Sequence, residues 1–140
     1  MATAFRFPIR IYWEDTDAGG IVFYANYLKF FERARTEWLR SLGLGQQQLR
    51  EQTGGMFVVT EARLRYLAPA RLDDRLWITA QLQERGRASL TLVQQALLVP
   101  SPLSDQAPTL LSEGTVRIGW VDATSLRPTR IPSTLLEQIS

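Results

Sequence analysis

The residues best suited to chemistry lie in one stretch, Tyr12 to Tyr27, which reads YWEDTDAGGIVFYANY. Asp15 and Asp17 flank a single residue, Thr16, and Gly19 and Gly20 follow them. A carboxylate pair after an apolar strand can hold a divalent cation. The phosphatase-type sites that do so sit in parallel α/β domains, which the downstream strands here do not supply. A calcium loop would want an oxygen side chain at Gly19 and a glutamate at Asn26. A turn is the second account, since Asp and Gly are ordinary loop residues and an Asp near a helix start favours the dipole. The third is a carboxylate aimed at an electrophile. Gly19 and Gly20 let backbone approach a ligand closely, and a helix begins just downstream, offering unpaired N–H groups near Asp17. Such donors can hold the oxyanion of an attacked carbonyl, while Asp17 attacks it or activates water. A thioester suits this arrangement because its leaving thiolate needs little acid assistance.

Composition narrows the choice. The 140 residues contain no His and no Cys. That removes Ser-His-Asp and Cys-His catalysis, thiolate zinc sites, disulfides and thiol redox chemistry. Side-chain chemistry must therefore use Asp, Glu, Tyr, Ser, Thr, Arg or the single lysine, Lys29. The net charge of +2 is too small to argue for nucleic acid. Arg6, Pro8 and Arg10 interrupt any apolar leader at the N-terminus, and no stretch reads as a membrane span. An intracellular, cytoplasmic protein is the expectation.

The elements that must position these residues follow from periodicity. Arg6 to Trp13 reads as a first strand and Glu14 to Gly20 as a loop. From Phe23 to Leu42 the period becomes helical, with Tyr27, Phe31, Ala34, Trp38 and Leu42 on one face. Glu32, Arg33, Arg35, Glu37 and Arg40 fill the solvent side. That is about 20 residues, or about 30 Å, and Gly43 is a natural stop. Gly45 to Gln52 reads as a short helix or loop, broken at Thr53-Gly54-Gly55. Strands are expected at Val58 to Leu67, Leu76 to Leu82, Ser89 to Val99 and Leu110 to Val121. In the first of these, Val58, Thr60, Ala62, Leu64 and Tyr66 should share a face, with Glu61, Arg63 and Arg65 opposite. Trp77 and Thr79 should join that opposite face. Glu84 to Arg87 reads as a hairpin turn, Pro100 to Pro108 as a loop, and Ile131 to Ile139 as a short terminal helix. The order is one strand, a long helix and four antiparallel strands. This is an α+β domain over residues 1–140 whose sheet buries one face against the helix.

The run DTDAGGIVFYANYLKFFERARTEWL, together with YLAPARLDD further on, closely resembles the hotdog-fold acyl-CoA thioesterases of the 4-hydroxybenzoyl-CoA type. The resemblance covers the chain, most specifically Trp13 to Arg35. It implies a five-stranded antiparallel sheet wrapped around one long central helix, and homodimers or homotetramers with active sites at the dimer interface. It implies Asp17 as the catalytic carboxylate, nucleophile or general base, and the backbone N–H of Tyr24 as the oxyanion donor. Gly20 then shapes the pocket. Arg85, Arg87 and Arg127, with Ser89 nearby, hold the CoA phosphates, whereas Arg130 reads as a solvated arginine. Glu32 is either a pocket carboxylate accepting a hydrogen bond from a phenolic hydroxyl or half of a surface ion pair with Lys29 or Arg35. No cofactor, metal, nucleic acid or membrane partner is implied. The Tol–Pal-associated branch carries His where Tyr24 stands, and its acyl groups tend to be aliphatic. Tyr24 matches the aromatic acyl-CoA branch, and within it the stretch resembles 1,4-dihydroxy-2-naphthoyl-CoA hydrolases of phylloquinone-making phototrophs. Alternatives are hydrolysis of 4-hydroxybenzoyl-CoA or short aliphatic acyl-CoAs, or a non-catalytic acyl-CoA binding module. A dehydratase on this fold ranks last for want of a His.

Overall fold

The computed structural model describes residues 4–139; Met1–Thr3 and Ser140, the ends of the expected domain, lie outside the described residues. Strand β1 (Phe5–Arg10) is followed by a 3₁₀ turn at Trp13–Asp15, then α1 (Asn26–Ser41) and α2 (Gln46–Thr53). Strands β2 (Gly55–Tyr66), β3 (Arg75–Arg85), β4 (Ser89–Leu98) and β5 (Thr109–Asp122) come next, and α3 (Ser133–Gln138) closes the chain. The five strands form one antiparallel sheet in the order β1-β3-β4-β5-β2. Among the described residues no helix is long and apolar enough to cross a membrane.

Helix α1 packs on β1, β3 and β4 through Tyr27, Phe30, Phe31, Ala34, Trp38 and Leu39, all buried. This is the expected stripe with one correction. Arg35, placed with the solvent-facing charges from its spacing, is only 8% exposed and lies on the buried side. The core has two lobes. One gathers Trp38, Leu39, Leu90, Ile118, Trp120 and Ile131 beneath the C-terminal half of α1. The other gathers Ile11, Phe30, Phe31, Leu76 and Ile78 beneath its N-terminal half.

Local chemistry explains where elements stop. Strand β1 ends at Arg10 rather than Trp13, because the Tyr12 N–H is taken by the Asp15 carboxylate at 2.8 Å. Pro8 lacks an N–H donor, and it sits in an edge strand, where one is not needed. Helix α1 begins at Asn26, not Phe23, leaving Tyr24 in the preceding turn. The polar segment after Gly45 is helical and ends on Gly54 in the left-handed region, φ 74°. Strand β2 starts three residues earlier than its alternation indicates, because Gly55 lies directly over the Trp120 ring.

The largest difference lies within β2. A bulge between Val59 and Glu61 inserts one residue, Thr60, into the register against β5. A one-residue shift exchanges the faces of a strand. Phe57 therefore packs on the first core lobe while Leu64, seven positions on, packs on the second. Val58, Thr60, Ala62, Leu64 and Tyr66 do not share one face. Thr79 keeps the outer face expected of it, since Leu76, Ile78 and Ala80 take the core side, but it is buried there, and its hydroxyl accepts the Gln95 N–H at 2.9 Å. Trp77 does lie outward, where the Arg6 guanidinium covers its ring at 5.1 Å.

Candidate active site

The Asp15–Asp17 loop is a tight structure held to the start of α1. Asp15 is committed to that structure. Its carboxylate caps the Tyr12 N–H, and its carbonyl accepts the Phe23 N–H at 3.0 Å and Asn26 Nδ2 at 2.8 Å. Asp17 closes the turn. Its N–H reaches the Ile21 carbonyl at 2.9 Å, its carbonyl accepts the Gly20 N–H at 3.0 Å, and its Oδ1 accepts the Gly19 N–H at 2.8 Å. Gly20 is required here by its backbone, at φ 77°. The bridge between Thr16 and Val22 closes the loop on itself, and the Val22 N–H to the Ala70 carbonyl fixes it to the connection between β2 and β3. The Asp17 side chain stands exposed in this loop, which Asp15 ties to the start of α1.

The helix start offers what a developing oxyanion needs. Ala25, the N-cap, makes no side-chain cap, and the first turn of α1 contains no acidic residue. Among the described residues the Tyr24 N–H donates to no protein acceptor. The free donor and the positive end of the helix macrodipole therefore lie together. The Tyr24 carbonyl accepts the Tyr66 hydroxyl at 3.0 Å, which pins this turn to β2. Phe23, Tyr24, Tyr27 and Tyr66 form a run of ring contacts, with centroids 4.8 to 6.1 Å apart. Burial, opposed in part by the Ala70 N–H, pushes the Tyr27 phenol above its usual range. Burial and then Tyr24 do the same for Tyr66, so both are neutral hydrogen-bonding groups at ordinary pH. Tyr24, Tyr27 and Tyr66, with Ile21, Val22 and Pro69, line an apolar cleft of about 290 Å³.

The basic residues gather elsewhere. The Ile131 N–H binds the Arg87 carbonyl, the Trp120 N–H binds the Ala88 carbonyl, and the Asp122 N–H binds the Arg127 carbonyl. These bonds bring Arg85, Arg87, Ser89 and Arg127 to one end of the sheet. Arg85 donates through Nη1 to the Leu136 carbonyl at 2.8 Å, which ties it to α3. Arg117 was not singled out from the sequence, yet its Nη2 lies 3.4 Å from Ser89 Oγ, and both line a polar cleft of about 160 Å³ with Glu84 and Thr91. The alternation of Val116, Ile118 and Trp120 already placed Arg117 outward, which was the available signal.

These two groups lie at opposite ends of one protomer. Tyr66 pairs with Ser112 at one end of β2, and Gly55 pairs with Asp122 at the other. The seven positions from Tyr66 back to Val59 alone span about 23 Å at 3.3 Å per residue. Glu32 joins neither group. Its Oε1 accepts the Thr36 hydroxyl at 3.2 Å, and among the described residues it forms no ion pair with Lys29 or Arg35.

A five-stranded antiparallel sheet in this order, laid around one long helix, is the hotdog fold, and it presents a carboxylate beside an open helix start. Residues 11–139 match the Thioesterase-like superfamily, and the chain belongs to that family of thioester hydrolases. It is 41% identical to the acyl-CoA thioesterase YbgC of Haemophilus influenzae over 91% of this chain and 88% of that one. It is 37% identical to the 1,4-dihydroxy-2-naphthoyl-CoA hydrolase of Thermosynechococcus vestitus over 58% of this chain and 57% of that one. Its fold superposes on a mutant 4-hydroxybenzoyl-CoA thioesterase complexed with 4-hydroxybenzoyl-CoA with a TM-score of 0.88, at 22% identity, covering 99% of this chain and all of the other.

Proposed function

We propose that this enzyme hydrolyses an aromatic acyl-CoA thioester, with 1,4-dihydroxy-2-naphthoyl-CoA as the substrate, releasing the free acid and CoA in phylloquinone biosynthesis. The observation that supports the thioester chemistry is an exposed Asp17 carboxylate in the loop before α1, together with a Tyr24 N–H that meets no protein acceptor among the described residues. Asp17 either attacks the thioester carbonyl, giving an acyl anhydride that water then hydrolyses to release the acid and the Asp17 carboxylate, or removes a proton from the water that attacks the carbonyl. The Tyr24 N–H holds the oxyanion, the C–S bond breaks, and the proton ends on the CoA thiolate. Arg85, Arg87, Arg127, Ser89 and Arg117 hold the nucleotide phosphates, for which arginine's fork of donors is suited. The aromatic run from Phe23 to Tyr66 and the partial similarity to the naphthoyl-CoA hydrolase support an aromatic acyl group. The identity with YbgC over 91% of the chain supports a second reading, a short aliphatic acyl-CoA.

We further propose that one site is completed by two chains, as a homodimer or as a pair within a homotetramer. Strand β2 is a twelve-residue edge, and among the described residues nothing pairs with its outer side. The other edge, β1, is six residues long and carries Pro8. Antiparallel pairing of two β2 edges sets the Tyr66 end of one chain against the Gly55 end of the other. That closes the gap between the Asp17 loop and the basic end, which a single chain leaves open. A CoA-thioester substrate supports a cytoplasmic location.

The test is thiol release from a panel of aromatic and aliphatic acyl-CoAs, with wild type and Asp17→Asn. The asparagine Oδ1 can still accept the Gly19 N–H, so the turn should survive while turnover falls by about 10²–10⁴-fold. Wild-type turnover in Asp17→Asn would remove the assigned chemistry. A preference for short aliphatic substrates would remove the naphthoyl assignment alone.

A further inference from the structure

Asn26 carries a polar side chain to which the reaction above gives no part. It is the first residue of α1, and its backbone N–H donates to the Phe23 carbonyl at 2.9 Å. Its side chain turns back along the chain. Nδ2 donates to the Asp15 carbonyl at 2.8 Å, in a half-buried bond. The same carbonyl accepts the Phe23 N–H at 3.0 Å. A carbonyl oxygen has two lone pairs, and both are filled from the helix start. One acceptor therefore holds the residue before Tyr24 and a residue just after it. On its other side, the Asp15 carboxylate accepts the Tyr12 N–H at 2.8 Å, which anchors the loop to the segment leaving β1.

The proposed reaction needs the Asp17 carboxylate and the Tyr24 N–H at one fixed separation, each directed at the same carbonyl group. The chain between them does not fix it, because Gly19 and Gly20 restrict the backbone least. The Asp17 N–H to Ile21 bond and the Thr16–Val22 bridge close the loop on itself and do not reach the Tyr24 turn. The two bonds onto the Asp15 carbonyl do. Among the described residues, the one from Asn26 is the single side-chain bond between this loop and the helix start. The placement of Asn26 is unfavourable for the helix itself. Asn is favoured at an N-cap and disfavoured inside a helix. Here the N-cap is Ala25, which makes no side-chain cap. An Asn at that position would close one of the helix's open N–H groups; at 26 it holds the loop and leaves them open. The amide also suits its partner, since a carbonyl needs a donor and a carboxylate offers none.

We infer that Asn26 is a positioning residue for the hydrolysis: through the Asp15 carbonyl it sets the Asp17 loop against the Tyr24 turn. The inference rests on the thioesterase reading above and adds a residue to it. Without the Asn26 bond the loop keeps its own hydrogen bonds and α1 keeps its packing on the sheet. The two then shift relative to one another about the remaining Phe23 N–H. A misplacement of about 1 Å can cost on the order of 10²-fold in rate.

The experiment measures thiol release, CoA binding and thermal melting for wild type, Asn26→Leu and Asn26→Ala, with one acyl-CoA that wild type hydrolyses. Leucine keeps the branched shape and loses the donor. Alanine loses it too and is the stronger helix former, so it decides the matter if the leucine variant does not fold. In both, kcat should fall by roughly tenfold to a hundredfold. KM and the affinity for free CoA should stay within about twofold of wild type, as expected when alignment is lost and binding is not. The deficit should persist in assays run well below the melting temperature. A merely structural role would lower kcat only through the unfolded fraction, and cooling would restore it. A kcat within about twofold of wild type overturns the inference, as does a rise in KM at constant kcat or a deficit that cooling abolishes. Failure of the underlying reading looks different: wild type itself releases no thiol from any acyl-CoA, or Asp17→Asn keeps full turnover, and both fall together.

Discussion

Replacing Tyr66 with Phe tests how the oxyanion donor is held. The hydroxyl of Tyr66 donates to the Tyr24 carbonyl at 3.0 Å, in the turn whose Tyr24 N–H is free. Phenylalanine keeps the ring, so the edge contacts to Tyr24 at 6.1 Å and Tyr27 at 5.5 Å survive. One neutral hydrogen bond is lost, worth about 0.5–1.5 kcal/mol net. At 48% exposure the lower end applies, so the melting temperature should fall by only about 2–4 °C. The effect on turnover should be larger. Complete loss of an oxyanion donor costs about 2.7–4 kcal/mol. Here the donor remains but its turn is unpinned, so about 1–2 kcal/mol is expected, roughly a 5- to 30-fold fall in kcat. The substrate's ground state gains little from this donor, so KM should hold. Because the phenol is pushed above its usual range, the deficit should be constant up to about pH 10. The assay is thiol release from one acyl-CoA at saturating and limiting substrate, beside a thermal melt. An unchanged kcat, or a rise in KM at constant kcat, would refute the positioning argument.

Three further outcomes follow from the packing. In Gly55→Ala the new Cβ would sit 2.3 Å from Trp120 Cζ2 and 2.5 Å from Cε2, a ring already packed by Phe57 at 4.9 Å. A loss of about 1–3 kcal/mol is expected, read as a lower urea midpoint at unchanged slope. Gln94→Leu removes the partner of a buried guanidinium and two carbonyl contacts; it should cost about 3 kcal/mol and depress the melt by about 10 °C. Asp122 accepts the Ser125 and Thr124 N–H groups at 2.7 and 2.9 Å, which hold its carboxyl below the usual range. A depressed carboxyl stabilises the folded state above the unfolded pKa and loses that contribution as pH falls through the folded one. The stability gap between wild type and Asp122→Asn should thus shrink below about pH 4, in denaturant titrations across pH.

The sequence was most legible where one interaction dominates. Tyr27, Phe31, Ala34 and Trp38 at helical spacing marked the face of α1 that is buried, and Asp73, at φ 71°, sits in the turn that Leu72 to Arg75 announced. The Asp15 turn and the Asp17 loop were both visible in type and spacing. What escaped was set by contacts distant in the chain. The bulge at Thr60 depends on the register of β2 against β5, and alternation alone carries the wrong half of that strand to the core. Arg35 escaped because its charge argues for solvent, while its position on the α1 stripe argues for burial. Gln94, 59 residues away, decided between them by offering an acceptor inside the sheet. Arg117 escaped for the same reason, since only the fold sets it beside Ser89.

These misses share a cause. The bulge, the cavity that Arg35 lines and the Arg117 cleft all depend on how β2, β5 and their neighbours are set against one another. The reactive loop needs only local sequence: an Asx turn, a glycine at positive φ and an uncapped helix start. In the proposed dimer, the basic end that would receive CoA depends on sheet register and on the sense in which two β2 edges would meet. Parallel pairing would stack like ends together and leave every Asp17 loop a strand's length from every basic end. Antiparallel pairing alone would set each loop toward the Gly55 end of the other chain's β2. An edge of twelve residues, exposed in its middle and interrupted by one bulge, is long enough to fix that register, and a six-residue edge broken by Pro8 is not.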